Sequence, residues 1–148
     1  MIYLDSAATS FLKPKSVKTA MVHAMDTMSS PGRGAYPAAM RAADKVYECR
    51  SMACSLFNFD KPENVVFTMN ATHALNIAIK TLAKTGSRVV VSGYEHNSVI
   101  RPLYDIGANV SAASGALFNP DSVLDAFEEK VPDADLVVCN HVSNVFGF

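Results

Sequence analysis

No run of residues in this chain is long and apolar enough to cross a bilayer. The longest, such as Leu136-Val137-Val138-Cys139, are a small fraction of a membrane span. Nor does the chain open, over Met1 to Ser10, with the charged start and apolar stretch of a secretory leader. An excess of one charge is missing too: 13 Lys and Arg stand against 14 Asp and Glu, with no basic run. The net charge of -1 gives no electrostatic footprint for nucleic acid. Neither a nucleic acid nor a membrane is therefore expected as a partner. Cysteine is scarce and odd in number (Cys49, Cys54, Cys139), which argues against a disulfide framework and for a reducing, cytoplasmic setting.

Familiar chemical signatures are absent as well. Gly32-Arg33-Gly34 has Pro37 where a dinucleotide fingerprint needs its third glycine, and it follows Pro31 rather than a strand. There is no Gly-Lys-Ser/Thr phosphate loop and no G-x-S-x-G nucleophile elbow. Cys139 and His141 lack a second ligand pair at zinc spacing, so no metal is expected.

What is present is a globular pattern. The 148 residues are 49% hydrophobic and 18% charged, enough for one domain with a core. Met1 to Leu4 reads as a short strand. Lys15 to Met28 reads as a helix, with Val17, Ala20, Met21, Ala24, Met25 and Met28 at helical spacing. Ser29 to Gly34 is a loop, and Ala38 to Phe57 is the longest helix pattern. An alternation follows. Strands are expected at Asn64–Met69, Arg88–Ser92, Asn109–Ala113 and Leu136–His141. Helices are expected at Thr72–Lys84, at Ser98–Ile106 with an interruption at Pro102, and at Asp121–Lys130 with Asp121 as its cap. Val65-Val66-Phe67, Val89-Val90-Val91 and Leu136-Val137-Val138-Cys139 are continuous apolar runs, as in strands covered on both faces. The fold class is therefore α/β, a parallel sheet with helices on both faces.

In such sheets ligands sit beyond the carboxyl ends of the strands. After the first strand, Asn70-Ala71-Thr72 opens a helix whose free N–H groups suit a phosphate; the same residues also read as an ordinary cap by Asn70 or Thr72. After the second comes Glu95-His96-Asn97-Ser98. Its histidine could stack on a flat heterocycle or move a proton, or could be a surface loop residue. After the last comes His141-Val142-Ser143-Asn144, whose asparagine is either an orienting donor or a turn residue. Together the three loops suggest a phosphorylated, planar ligand without naming it.

Five ordered motifs carry a resemblance across the whole chain. They are Tyr3 to Ser10, Gly32 to Ala35, Asn70 to Asn76, Glu95 to Ser98 and His141 to Gly147. They resemble the motifs of class V aminotransferase-fold enzymes that use pyridoxal 5'-phosphate (PLP), in the cysteine desulfurase and selenocysteine lyase branch. The resemblance implies the large domain of PLP fold type I, incomplete here. Residues 15–148 would be its N-terminal part, and residues 1–14 a segment that packs with the small domain. It implies that Ala71 and Thr72 bind the cofactor phosphate. His96 would stack on the pyridine ring and assist proton transfer, and Asn144 would hydrogen-bond the ring's phenolic oxygen. Arg33 would approach the substrate across a homodimer interface. The reaction implied converts L-cysteine to L-alanine and leaves persulfide sulfur on the enzyme, for a sulfur-acceptor protein and iron–sulfur cluster assembly.

The sequence departs from that pattern at Ser6, often Asn in the family, at His73 in place of Glu, and at Phe146 in place of Thr. The lysine that holds the cofactor, the aspartate that meets its ring nitrogen and the sulfur-accepting cysteine would all fall past Phe148. Lys80, Lys84 and Lys130 lie in helix patterns unlike the lysine motif. Cys49 and Cys139 lie on apolar faces and Cys54 lies mid-helix, all poor nucleophiles. These 148 residues alone are thus expected not to be a competent desulfurase, and to associate through an uncovered sheet edge. Two alternatives stand beside this reading. One is another class V PLP enzyme (an aminotransferase, epimerase or lyase). The other is a non-catalytic paralogue serving as an interaction module.

Overall fold

The computed structural model of the chain describes residues 2–147. It divides into two compact units, one ending at Phe67 and one beginning at Thr68.

The first unit holds two helices, α1 (Lys15–Thr27) and α2 (Pro37–Leu56), within one residue at each end of the expected spans. Pro37 starts α2 at a position where a missing N–H costs nothing. Asn58 ends it with a left-handed φ of 52°, which lets the Phe59 N–H reach the Cys54 carbonyl at 2.9 Å. Arg41 of α2 closes the end of α1. Its Nε and Nη2 donate to the Thr27 carbonyl at 3.1 and 2.7 Å. Burial is sparse: α1 has no buried residue, and α2 buries Ala39, Ala42 and Cys54.

Two expected strands do not form here. Ile2 to Leu4 carries no strand, and Met1 lies outside the described residues. The Tyr3 hydroxyl instead donates to the Asp5 and Thr9 carbonyls at 3.0 and 2.8 Å, and its ring meets Phe11, so the segment folds on itself. Asn64–Met69 is a 3-10 turn (Pro62–Asn64) followed by extended residues without a ladder. A strand exists only by bonds to a neighbour; none pairs with this one among the described residues, and Val66 is 74% exposed.

The second unit runs α3 (Ala71–Leu82), β1 (Arg88–Ser92), α4 (Asn97–Asp105), β2 (Asn109–Ala113), α5 (Pro120–Lys130), β3 (Leu136–Val138). The sheet is parallel, in the order β2-β1-β3. It has three strands rather than the four expected. Register decides which side chains share a face. Val89 and Val91 stand beside Leu136 and Val138, and that face meets Ile79 and Ala83 from α3 and its end and Val99 and Leu103 from α4. Val137 is on the opposite face, in an apolar groove with Val123, Leu124 and Phe127 of α5. Helices therefore cover both faces, and the valine runs of β1 are buried as their composition requires.

Three boundaries differ from expectation for local reasons. Pro102 does not interrupt α4: in so short a helix it removes one bond, and its buried ring joins the packing. The cap of α5 is Asn119, whose Oδ1 accepts the Ser122 N–H at 3.2 Å, while Asp121 sits inside the first turn. α3 stops at Leu82, leaving Lys84 outside it. No helix among the described residues is long and apolar enough to cross a membrane.

Candidate functional site

The site lies where α3 and α4 begin. Thr72, Asn76 and Lys80 of α3 face Asn97, Ser98, Arg101 and Asp105 of α4 across a groove of about 570 Å³, and His96 lies at its end. Thr72 stands with His96 and Asn97, and Lys80 donates to Asp105 Oδ2 at 2.6 Å, so the helices run side by side with their N-termini together. Both positive dipole ends meet at one place.

The start of α3 is built by Asn70. Its Oδ1 accepts the His73 N–H at 2.8 Å, its carbonyl accepts the Ala74 N–H at 3.1 Å, and the Thr68 hydroxyl donates back to it at 2.9 Å. Asn70 is thus the cap, and Thr72 is not. The N–H groups of Ala71 and Thr72 are left without a partner among the described residues, since the first turn of a helix has no carbonyl to give them. Together with the Thr72 hydroxyl they form a donor set for an anion such as a phosphate.

His96 caps α4. Its Nδ1 accepts the Ser98 N–H at 3.1 Å and lies 2.8 Å from the Ser98 hydroxyl. A ring nitrogen that accepts a backbone N–H carries no proton, so the neutral imidazole holds its hydrogen on Nε2. The cap fixes the ring and leaves Nε2 as the nitrogen it does not engage. Ser98, which supplies both contacts, is buried.

Asn144 is not on this groove. It is exposed, on the segment after β3, in a turn shaped by buried Ser143. The Ser143 Oγ accepts the Val145 and Phe146 N–H groups at 3.3 and 3.4 Å. Arg33 belongs to the first unit, in an exposed turn. Of the expected residues, the structure therefore gathers Ala71, Thr72 and His96. Phe146, the bulky departure, meets the Tyr94 ring edge to face at 5.7 Å.

The cysteines are less buried than their pattern suggests. Cys54 is in the core, but Cys49 and Cys139 are exposed. Desolvation of its thiol and the nearby Glu95 carboxylate push Cys139 above the usual thiol range, which disfavours the nucleophilic thiolate. Lys80 is engaged with Asp105. Sequence reasoning passed over Glu95 as a separate element; its signal was a carboxylate beside a histidine in a strand-following loop.

Comparisons with known proteins identify the family and the fold. The chain matches the family model "Aminotransferase class-V" over residues 2–148. It is 32% identical to a probable cysteine desulfurase of Methanothermobacter thermautotrophicus, covering 99% of this chain and 37% of that protein. It is 31% identical to the cysteine desulfurase IscS of Shewanella denitrificans, covering 99% and 38%. The apo structure of a cysteine desulfurase from Thermococcus onnurineus NA1 superposes with a TM-score of 0.83 at 32% identity, over 97% of this chain and 37% of that one. The chain thus spans little more than a third of the relatives it matches.

Proposed function

Because the chain belongs to the class V aminotransferase family, we propose that it is the N-terminal part of a PLP-dependent cysteine desulfurase, which converts L-cysteine to L-alanine and enzyme-bound persulfide sulfur. The observation that carries the reading is the meeting of two helix starts beside His96, with the Ala71 and Thr72 N–H groups uncommitted. That donor set fits the cofactor's phosphate in charge and hydrogen bonding. When bound, PLP supplies an electron sink for bonds at the substrate's α-carbon. In this assignment Ala71 and Thr72 would hold the phosphate, and His96 would stack on the ring. His96 holds its transferable proton at Nε2, because Nδ1 is occupied by the cap. Asn144, on the turn after β3 rather than in the groove, would meet the ring's phenolic oxygen, and Arg33 would serve the substrate across a homodimer.

Residues 15–148 are assigned to the cofactor-binding large domain and residues 1–14 to the segment that packs with the small one. The whole protein is a cytoplasmic homodimer that passes sulfur to an acceptor protein, in service of iron–sulfur cluster assembly. Within these residues no lysine is assigned to the cofactor.

The test is a visible spectrum with added PLP, followed by borohydride reduction and peptide mass mapping. A spectral change without a specific lysine adduct supports the reading. A reduced adduct on one lysine of this chain overturns the assignment of that lysine elsewhere. No spectral change removes the phosphate assignment and favours a non-catalytic interaction module.

A further inference from the structure

The two residues before His96 contact the loops that follow the other strands. Tyr94 donates its hydroxyl to the Gly115 carbonyl, after β2, at 2.9 Å. Glu95 binds the segment after β3: its Oε1 accepts the Asn140 N–H at 2.6 Å, and the same oxygen accepts the hydroxyl of buried Ser92 at 2.6 Å. Both are short bonds to one oxygen of a half-buried side chain. The hydrogen bonds inside the Ser143 turn, including Gly147 N–H to the Ser143 carbonyl at 2.8 Å, shape it but do not place it. Among the described residues, that segment is tied to the loop after β1 by Glu95 to Asn140 and by Tyr94 to Phe146. β3 ends at Val138, where the Glu95 carboxylate takes over the Asn140 N–H.

We infer that Glu95 is a positioning residue, whose carboxylate fixes the Asn144 turn relative to His96 by holding the Asn140 N–H and the Ser92 hydroxyl on one oxygen. The inference rests on the reading of Asn144 and His96 as cofactor contacts. It also explains how Phe146 is accommodated: the ring lies against Tyr94, on the same tether. Because one oxygen accepts both bonds, Gln keeps the geometry and loses only the charge, whereas Ala removes the acceptor and Asp withdraws it by one methylene.

The experiment is amide hydrogen exchange on the chain and its Glu95→Ala, Glu95→Asp and Glu95→Gln variants, with a parallel titration by free PLP read by absorbance. Glu95→Ala should speed exchange of the Asn140 and Val145–Gly147 amides about tenfold or more, with β1 and β2 amides within about twofold of the parent. Glu95→Gln should stay within about threefold of the parent, and Glu95→Asp should follow Ala. Should Glu95→Ala fail to fold, the Asp and Gln pair carries the same contrast. PLP should bind the Ala or Asp variant about tenfold more weakly than it binds Gln. Unchanged exchange at 140–147, or equal acceleration in β1 and β2, overturns the tether. Parent protein that ignores PLP while the exchange contrast holds overturns the proposed function and leaves the tether standing.

Discussion

The two units of the chain both carry helices with apolar periodicity and differ in how much of it is buried. In α1 Val17, Met21 and Met25 recur at helical spacing, yet the helix buries nothing, and Met25 is 73% exposed. In the second unit a shorter, Pro-containing helix, α4, places Leu103 at 0% exposure against the sheet. The difference teaches what periodicity reports. A 3.6-residue repeat says that one face of a helix can be covered; whether it is covered depends on residues far away in the chain. A parallel sheet supplies that cover at once, because each strand brings two faces and each crossover helix lies on one of them.

The sharpest way to break this comparison is to truncate one apolar side chain in each unit. Leu103→Ala should cost about 2–5 kcal/mol, read as a fall in the urea midpoint, because a filled position becomes a cavity. Met25→Ala should change stability by no more than about 0.5 kcal/mol. Equal losses would mean that α1 is covered after all and that the contrast between the units is false.

A smaller effect separates two residues at the start of α5. Asn119→Ala should cost about 1 kcal/mol, since it removes the acceptor of the Ser122 N–H. Asp121→Ala should cost only a few tenths, the worth of a carboxylate near a positive dipole end. The reverse order would restore Asp121 as the cap.

These cases show what the sequence made legible. Helix spans and three strands were readable because their patterns are local: the valine run of β1 needs no knowledge of its neighbours. Asn64–Met69 was misread because its apolar run is identical to that of a strand, and strandhood depends on a partner outside the segment. Asp121 and Asn119 are both good caps, and Pro120 at the first helical position leaves the cap to Asn119. At the site, His96 was legible as a residue that follows a strand and Thr72 as one that opens a helix, although the strand expected before Thr72 does not form. The free N–H groups of Ala71 and Thr72 were not, because they exist only once Asn70 has taken the cap. Glu95 was hidden for a similar reason: its second partner, Asn140, is 45 residues away.

Within the sparse first unit, Arg41 is the clearest link between its helices. Arg41→Ala should loosen the end of α1 by about 0.5 kcal/mol, a charged hydrogen bond discounted for its exposure. Faster amide exchange at Thr27 and Met28, with no change in β1, would place that loss in the first unit. Acceleration in both units would show that they are energetically coupled.

The smallest expected effect is the acid response of the second unit. Asp135 joins the starts of β1 and β3: its Oδ2 accepts the Arg88 N–H at 2.8 Å, and its Oδ1 meets the guanidinium at 3.3 Å. Those bonds, the backbone one first, hold its carboxyl below the ordinary value of 3.8, and Lys80 does the same to Asp105. A lowered value in the folded state means that the folded chain favours the ionised form. The stabilisation is therefore complete above the unfolded value of 3.8 and is lost as pH falls through the lower folded value. Both carboxylates are exposed, so water screens them and the slope should be shallow. Asp135→Asn should be less stable than the parent near neutrality, and the two stability curves should converge as the pH drops below the ordinary carboxylate range. Added salt should shrink the guanidinium part and spare the backbone bond. Parallel curves down to acid pH would show that the Arg88 N–H, rather than the charge of Asp135, is what β1 and β3 share at this corner.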